Sequence, residues 1–263
     1  MKKVLLLLVL VIIIAPILVL GFLGYVPGLS NVMGANKPKD LGIKYTPADY
    51  KTSQEKSKVA RVALSEKPTD PSKSLVYSGS HDVKSEFTSS QITASLNSQN
   101  WVNWPYKNMQ VKFNADGTTE VSGVLIKSKV PGYAAYLGIP KEVVDIGMKF
   151  IPPDPAFYVK GKAALINNKV SLFEPSSFQL GKLSLPVNMF LSFSPNLTPT
   201  IYAEGIGELS QKLSEVQNKK AIIIDFINQR ITTHEGFFAK DAHVEEDKLI
   251  FDGKLPDKIS VEE

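Results

Sequence analysis

Apolar and polar positions are unevenly distributed along this chain. After Met1-Lys2-Lys3 comes an uncharged apolar run that begins at Val4 and ends at Val26, broken only by Pro16, Gly21 and Gly24. As one helix it would extend about 34 Å, enough to cross a hydrocarbon core of roughly 30 Å. Residues 30–74 are rich in Lys, Ser, Pro and Asn and poor in large apolar side chains, the pattern of a tether. One helix is expected inside it, with Thr46 as N-cap, Pro47 at the first helical position and Asp49 at N3. From Leu75 onward short periodic segments replace the polar stretch. Three parts follow: a cytoplasmic stub with a membrane anchor (1–29), a polar tether (30–74) and an outer domain (75–263).

Within that domain, Thr88 and Gln91 form a capping box that opens a short helix carrying Ile92 and Leu96. Strands are expected at 109–114 and 118–129 around an Asp116-Gly117 turn, and at 157–165 and 169–173 around Asn167-Asn168. Another strand is expected at 178–185. Two short helical pieces, 133–137 and 141–149, lie between the hairpins, and 188–203 fits neither period. Ile206, Leu209, Leu213, Val216, Ile223, Ile227 and Ile231 follow helical spacing, with Lys220 marking a point where one helix becomes two. A last hairpin joins 237–245 to 248–255. Helix-then-hairpin units recur at both ends: Asn97 precedes Gly123 by 26 residues and Asn228 precedes Gly253 by 25. The fold class is α+β: an N-terminal transmembrane helix, then a curved antiparallel sheet wrapped against one long or two shorter helices.

Charge alters the picture only in its placement. The net charge is +4. Residues 37–73 alone carry nine basic and five acidic side chains, whereas 74–263 has 19 basic and 21 acidic. The outer domain therefore lacks the cationic surplus of a nucleic-acid-binding module. Lys2 and Lys3 before the apolar run place the N-terminus in the cytoplasm and the remainder outside. The run exceeds the 7–15 residues usual for a cleaved signal, which favours an uncleaved anchor. With no cysteine, disulfides, thiolate metal sites and lipoprotein attachment are excluded.

The chemistry-bearing residues are sparse. His81, His234 and His243 show no zinc-motif spacing, although His234, His243 and Glu245 form a conceivable two-His carboxylate set, set against solvated hairpin residues. Ser78-Gly79-Ser80-His81 lacks a positioned base and oxyanion hole. Trp101 and Trp104 stack on a sugar or pack a loop onto the core. No phosphate loop, nucleophile elbow or dinucleotide fingerprint occurs, so neither an enzyme nor a cofactor is expected. The positive feature is apolar surplus in the connectors. Tyr133, Tyr136, Leu137, Ile146 and Phe150, with Ile223 and Ile227 from the long helical region, are the candidate lining of an apolar or lipid site. The plain alternative is that they close an ordinary core.

The order of anchor, tether, Phe87-Thr88-Ser89-Ser90-Gln91-Ile92-Thr93-Ala94-Ser95-Leu96-Asn97, hairpin, and late Leu249-Ile250-Phe251-Asp252-Gly253-Lys254-Leu255-Pro256 resembles the YpmS-like and YceB-like bacterial envelope proteins. More distantly it is similar to the tubular lipid-binding group, in which a strongly curved antiparallel sheet wraps a helix and cradles lipid. The likeness spans roughly residues 80–258 and departs from the YceB-like pattern in lacking a lipobox cysteine. It implies a compartment and a fold, and carries no residue set across. The expected function is thus non-catalytic binding of a lipid or other apolar ligand outside the plasma membrane. The alternative is an envelope scaffold that binds a protein partner.

Overall fold

The computed structural model of the chain describes residue 14 and residues 16–187 and 216–263. Its turns set its hairpins. Asn167 and Asn168, with φ of 50° and 61°, link β6 (Ala156–Ile166) to β7 (Lys169–Leu180), the left-handed pair that a two-residue hairpin turn requires. Gly117, at φ 76°, closes the loop between β4 (Tyr106–Phe113) and β5 (Thr119–Leu125). Glu246 and Asp247 do the same between β9 (Phe238–Glu245) and β10 (Lys248–Leu255).

These hairpins build an antiparallel sheet in the order β3-β10-β9-β6-β5-β4, where β3 is His81–Thr88. β7 pairs with β6 and with the short β8 (Leu183–Leu185). Along one edge β6 pairs first with β5 and then, at Leu165 and Ile166, with β9. The sheet curls into a half-barrel, and the fold is α+β as expected. A second, mixed sheet has the order β1-β11-β2, formed by Ala60–Ala63, Lys258–Val261 and Leu75–Ser78. β1 runs parallel to β11 and β2 antiparallel to it.

Seven helices lie among the described residues: α1 (Pro16–Leu23), α2 (Pro27–Met33), α3 (Pro47–Ser57), α4 (Ser89–Asn97), α5 (Val130–Tyr136), α6 (Lys141–Met148) and α7 (Val216–Thr233). Both expected capping boxes form, Thr46 with Asp49 at α3 and Thr88 with Gln91 at α4. α4 is tied to β4 through side chains. Thr93 Oγ1 accepts from Val111 N at 2.9 Å, and Asn97 accepts from Met109 N at 2.9 Å and donates to Met109 O at 2.8 Å. α7 packs on β7, where Asn228 Oδ1 accepts from Val170 N at 2.7 Å.

Two expectations change here. The strand foreseen at 178–185 is the end of β7 plus β8, because Gly181, at φ 60°, turns the chain between them. Residues 4–13 and 15 of the expected membrane helix lie outside the described residues. Its remainder breaks at Gly24, whose φ of 102° is left-handed, and restarts with Pro27 at the first turn of α2. No single helix among the described residues is long and apolar enough to cross a membrane, although α1 and α2 together reach that composition with a 71° bend between them. Of the long helical region, 205–215 lies outside the described residues, as do 188–203.

Within the stretch read as a tether, the structure places residues firmly against the domain. Ala35 and Leu41 are buried, and Ala35 O accepts from Ala156 N. Leu41 N donates to Gln110 Oε1 at 2.8 Å and Ser90 Oγ to Lys44 O at 2.8 Å. α3 is held by Ser95 Oγ donating to Ser53 Oγ at 2.8 Å and by Lys56 Nζ donating to Glu86 O at 2.7 Å.

Candidate functional site

Two apolar clusters flank the space between the sheets. One holds Val83, Phe87, Ala239 and Phe251, with Ile92, Phe237, Leu249 and Leu255 against them. The other holds Trp101, Ile259 and Val261, with Val59, Tyr77, Trp104, Tyr133 and Tyr136 against them. Where the clusters do not meet, a cavity of about 470 Å³ remains. Its volume falls within the roughly 300–1,000 Å³ of small-molecule sites.

The alternation of β3 and β10 explains the apolar wall. Phe87, Leu249, Phe251 and Leu255 occupy every second position and share one face of the sheet, which α4 covers with Ile92. α3 contributes Tyr50, Ser53, Gln54 and Ser57, a polar rim. Val59, Arg61, Tyr77 and Ile259 come from β1, β2 and β11 and the residues beside them, and Ile231 and His234 from the end of α7. The cavity is thus oil-lined on the sheet side and polar near α3 and His234.

Arg61 is the cation of this lining. Its guanidinium donates to Gln99 Oε1 at 2.7 Å, and burial depresses its pKa, an effect that Tyr50 and Tyr77 only partly offset. No carboxylate among the described residues pairs with it. A guanidinium withdrawn from water without a counter-ion is unfavourable, and a planar acid is the partner its geometry fits.

Beside Arg61 lies a directional chain. Tyr136 Oη is 3.0 Å from His234 Nε2 and 3.3 Å from Tyr77 Oη, and His234 Nδ1 meets Arg230 O. Burial lowers the His234 pKa. A neutral ring that donates from Nδ1 must accept at Nε2, so Tyr136 donates to His234 and Tyr77 donates to Tyr136. Burial also pushes the pKa values of Tyr77 and Tyr136 up, keeping both phenols protonated. Arg230 completes the assembly, donating to Tyr136 O at 3.1 Å with its guanidinium 5.9 Å from the Tyr136 ring centre.

The sequence-predicted lining falls elsewhere. Tyr133 and Tyr136 pack on Trp101 as part of the second cluster, Tyr136 reaching the cavity only through Tyr77 and His234. Leu137 is the half-buried C-cap of α5, and Ile223 and Ile227 are half-buried on α7, where only the next residue of their stripe, Ile231, reaches the cavity. Ile146 and Phe150 point away, 59% and 65% exposed. Trp101 is a core residue whose indole donates to Ser74 Oγ at 3.0 Å. His243 sits between Asp241 and Glu245 on β9; burial opposes its charge, but hydrogen bonds to both carboxylates outweigh this and raise its pKa. His234 takes a different set of partners, and no metal-binding cluster occurs among the described residues. Sequence reasoning missed Arg61 and Tyr50 because they were assigned to a tether; the Thr46 capping box was the signal that this segment is ordered.

No family model, curated protein or solved structure matches the chain.

Proposed function

We propose that this chain is a membrane-anchored protein of the cell envelope whose outer domain binds a lipid or another apolar ligand without catalysing a reaction. The observation that carries the reading is the cavity itself, apolar along β3 and β10 and furnished with an arginine that pairs with no carboxylate among the described residues. Apolar walls gain roughly 25 cal/mol for each Å² of ligand surface taken from water. Arg61 adds a preference for an acidic head, a carboxylate or phosphate, over a neutral one. The neighbouring Tyr77, Tyr136 and His234 are engaged with one another, so the imidazole nitrogen that could act as a base is already hydrogen-bonded. The uncharged run at 4–26 supports the anchor, with the N-terminus inside and the folded part outside the plasma membrane.

The test uses the purified full chain in detergent micelles, titrated with a dansyl-labelled fatty acid and with its methyl ester. The acid is expected to bind about tenfold more tightly than the ester, and Arg61→Gln to abolish that preference while leaving ester binding intact. Absence of binding by either probe, with a partner protein recovered by crosslinking, would replace this reading by the envelope-scaffold one.

A further inference from the structure

The end of α6 and the turn after it carry two apolar side chains, Ile146 and Phe150, that the domain does not cover. Ile146 lies in the last turn of α6 and Phe150 in the turn that follows its C-cap, tied back by Phe150 N donating to Gly147 O at 2.9 Å, and they are among the most exposed large apolar side chains of the described residues. A Cβ added to Gly147, between them, would meet nothing within 4 Å. This turn lies beside the N-terminal apolar segment. Tyr25 Oη donates to Phe150 O, and the space beside Gly24 is filled by Pro152. The segment is further fastened where Lys182 N donates to Phe22 O at 2.9 Å. α1 exposes Ile17, Leu18, Val19, Leu20 and Phe22, with Gly21 buried against Leu29, and such exposure in a helix of this composition suits lipid rather than water. In the sequence Lys127, Lys129, Lys141 and Lys149 stand against Glu142 and Asp145, leaving residues 127–150 two positive charges in excess.

We infer that the end of α6 and the turn after it are a second membrane contact: Ile146 and Phe150 sit in the acyl–headgroup boundary of the bilayer that holds α1, with the flanking lysines among the headgroups. This rests on the anchoring part of the proposed function. Its physical core is depth. Tyr25 is the penultimate residue of the apolar run, and a tyrosine there belongs at the interface. A residue bonded to Tyr25 through its own backbone is held at the same level, so Phe150 cannot stand off in bulk water. Two apolar side chains inserted beside an anchor also fix the domain's orientation, which the anchor by itself does not.

The absence of native cysteine permits a clean experiment. Single variants Ile146→Cys, Phe150→Cys, Leu18→Cys and Val76→Cys of the full chain are labelled with an environment-sensitive nitrobenzoxadiazole and reconstituted into vesicles of three parts phosphatidylcholine to one part phosphatidylglycerol. The labels at 146 and 150 are expected to shift their emission to the blue and to be quenched by lipid spin-labelled near the headgroup. The label at 18 should be quenched best by lipid labelled deep in the chain, and that at 76 by neither. Water-like emission at 146 and 150 with a protected label at 18 overturns the seating and leaves the anchor standing. Water-like emission at 18 as well overturns both.

Discussion

His234 shows how one side chain can be both a site element and a titration liability. Burial lowers its pKa from the ordinary 6.5, helped by the nearby Arg230 charge, while the hydrogen bond to the Arg230 carbonyl works the other way. In the unfolded chain the ring takes up a proton as pH drops through about 6.5, whereas the folded chain resists until lower pH. Folding stability tied to His234 is therefore complete above the unfolded value and is lost as pH falls toward the folded one. His243 has the opposite sign: its raised pKa stabilises the fold at low pH, and that contribution fades as pH rises through the folded value. The carboxylates with lowered pKa, such as Glu120 and Asp154, lose their contribution only at more acidic pH. Between about pH 7.5 and about pH 5.5, wild type should thus lose more melting temperature than His234→Asn, measured as the difference in slope. Equal slopes would mean that His234 protonates freely in the folded state. Arg61 is the second residue of this kind, and nothing in its local sequence announced it. Its role comes from β1 lying parallel to β11, a pairing between residues almost 200 positions apart, and no window of local periodicity reports such a contact.

At the scale of elements, the turns and caps were legible because their chemistry is local. Asn167-Asn168, Asp116-Gly117, and the Thr46 and Thr88 boxes each fix backbone angles within four residues. Strands without such punctuation, β1, β2, β3 and β11, were missed: β1, β2 and β11 are each four residues long and exist only through their partners, and β3 buries only Val83 and Phe87 among polar neighbours. The Asn-to-Gly spacing seen at both ends of the domain has a partial structural counterpart. Asn97 and Asn228 each bond the backbone of a strand, β4 and β7 respectively. Gly123 and Gly253 both lie where a side chain has no room, but against different neighbours. A Cβ at 253 would strike Phe238 O and crowd Ala239 Cα, at the point where the β9–β10 register shifts. A Cβ at 123 would meet first the Met109 sulfur, at the end of a flexible side chain. Backbone cannot yield as a thioether can. Gly253→Ala should therefore cost about 2 kcal/mol or more and Gly123→Ala about 1 kcal/mol, read as melting shifts of roughly 4–8 °C and 2–4 °C. Equal shifts would remove the distinction.

For the molecule as a whole, the question is whether 30–74 is a spacer or part of the folded body. Composition favoured a spacer: charged, Pro-rich and poor in large apolar groups. Yet these residues do not need to supply a core, because they cover one. α3 is polar on nearly every side and is held by Lys56, Ser53 and Ser57 bonding to Glu86 O, Ser95 and His81. Beneath it lie Phe87, Ile92 and Phe251, which would otherwise face water. β1 likewise adds four residues of ladder to β11 and delivers Arg61. A polar segment can thus be indispensable to an apolar site, as its lid and as the source of its charge. Two truncations test this. Residues 35–263 retain α3, β1 and Arg61, and should unfold cooperatively and bind the dansyl fatty acid. Residues 75–263 lose the cavity's polar rim, uncover its apolar wall and leave β11 with one partner. That fragment should melt lower, bind an exposed-hydrophobe dye in the native state, and lose preference for the acid over its ester. If instead it matched 35–263 in melting temperature and in probe affinity, residues 35–74 would contribute reach alone, and the acid-selective site built on Arg61 would have to be abandoned.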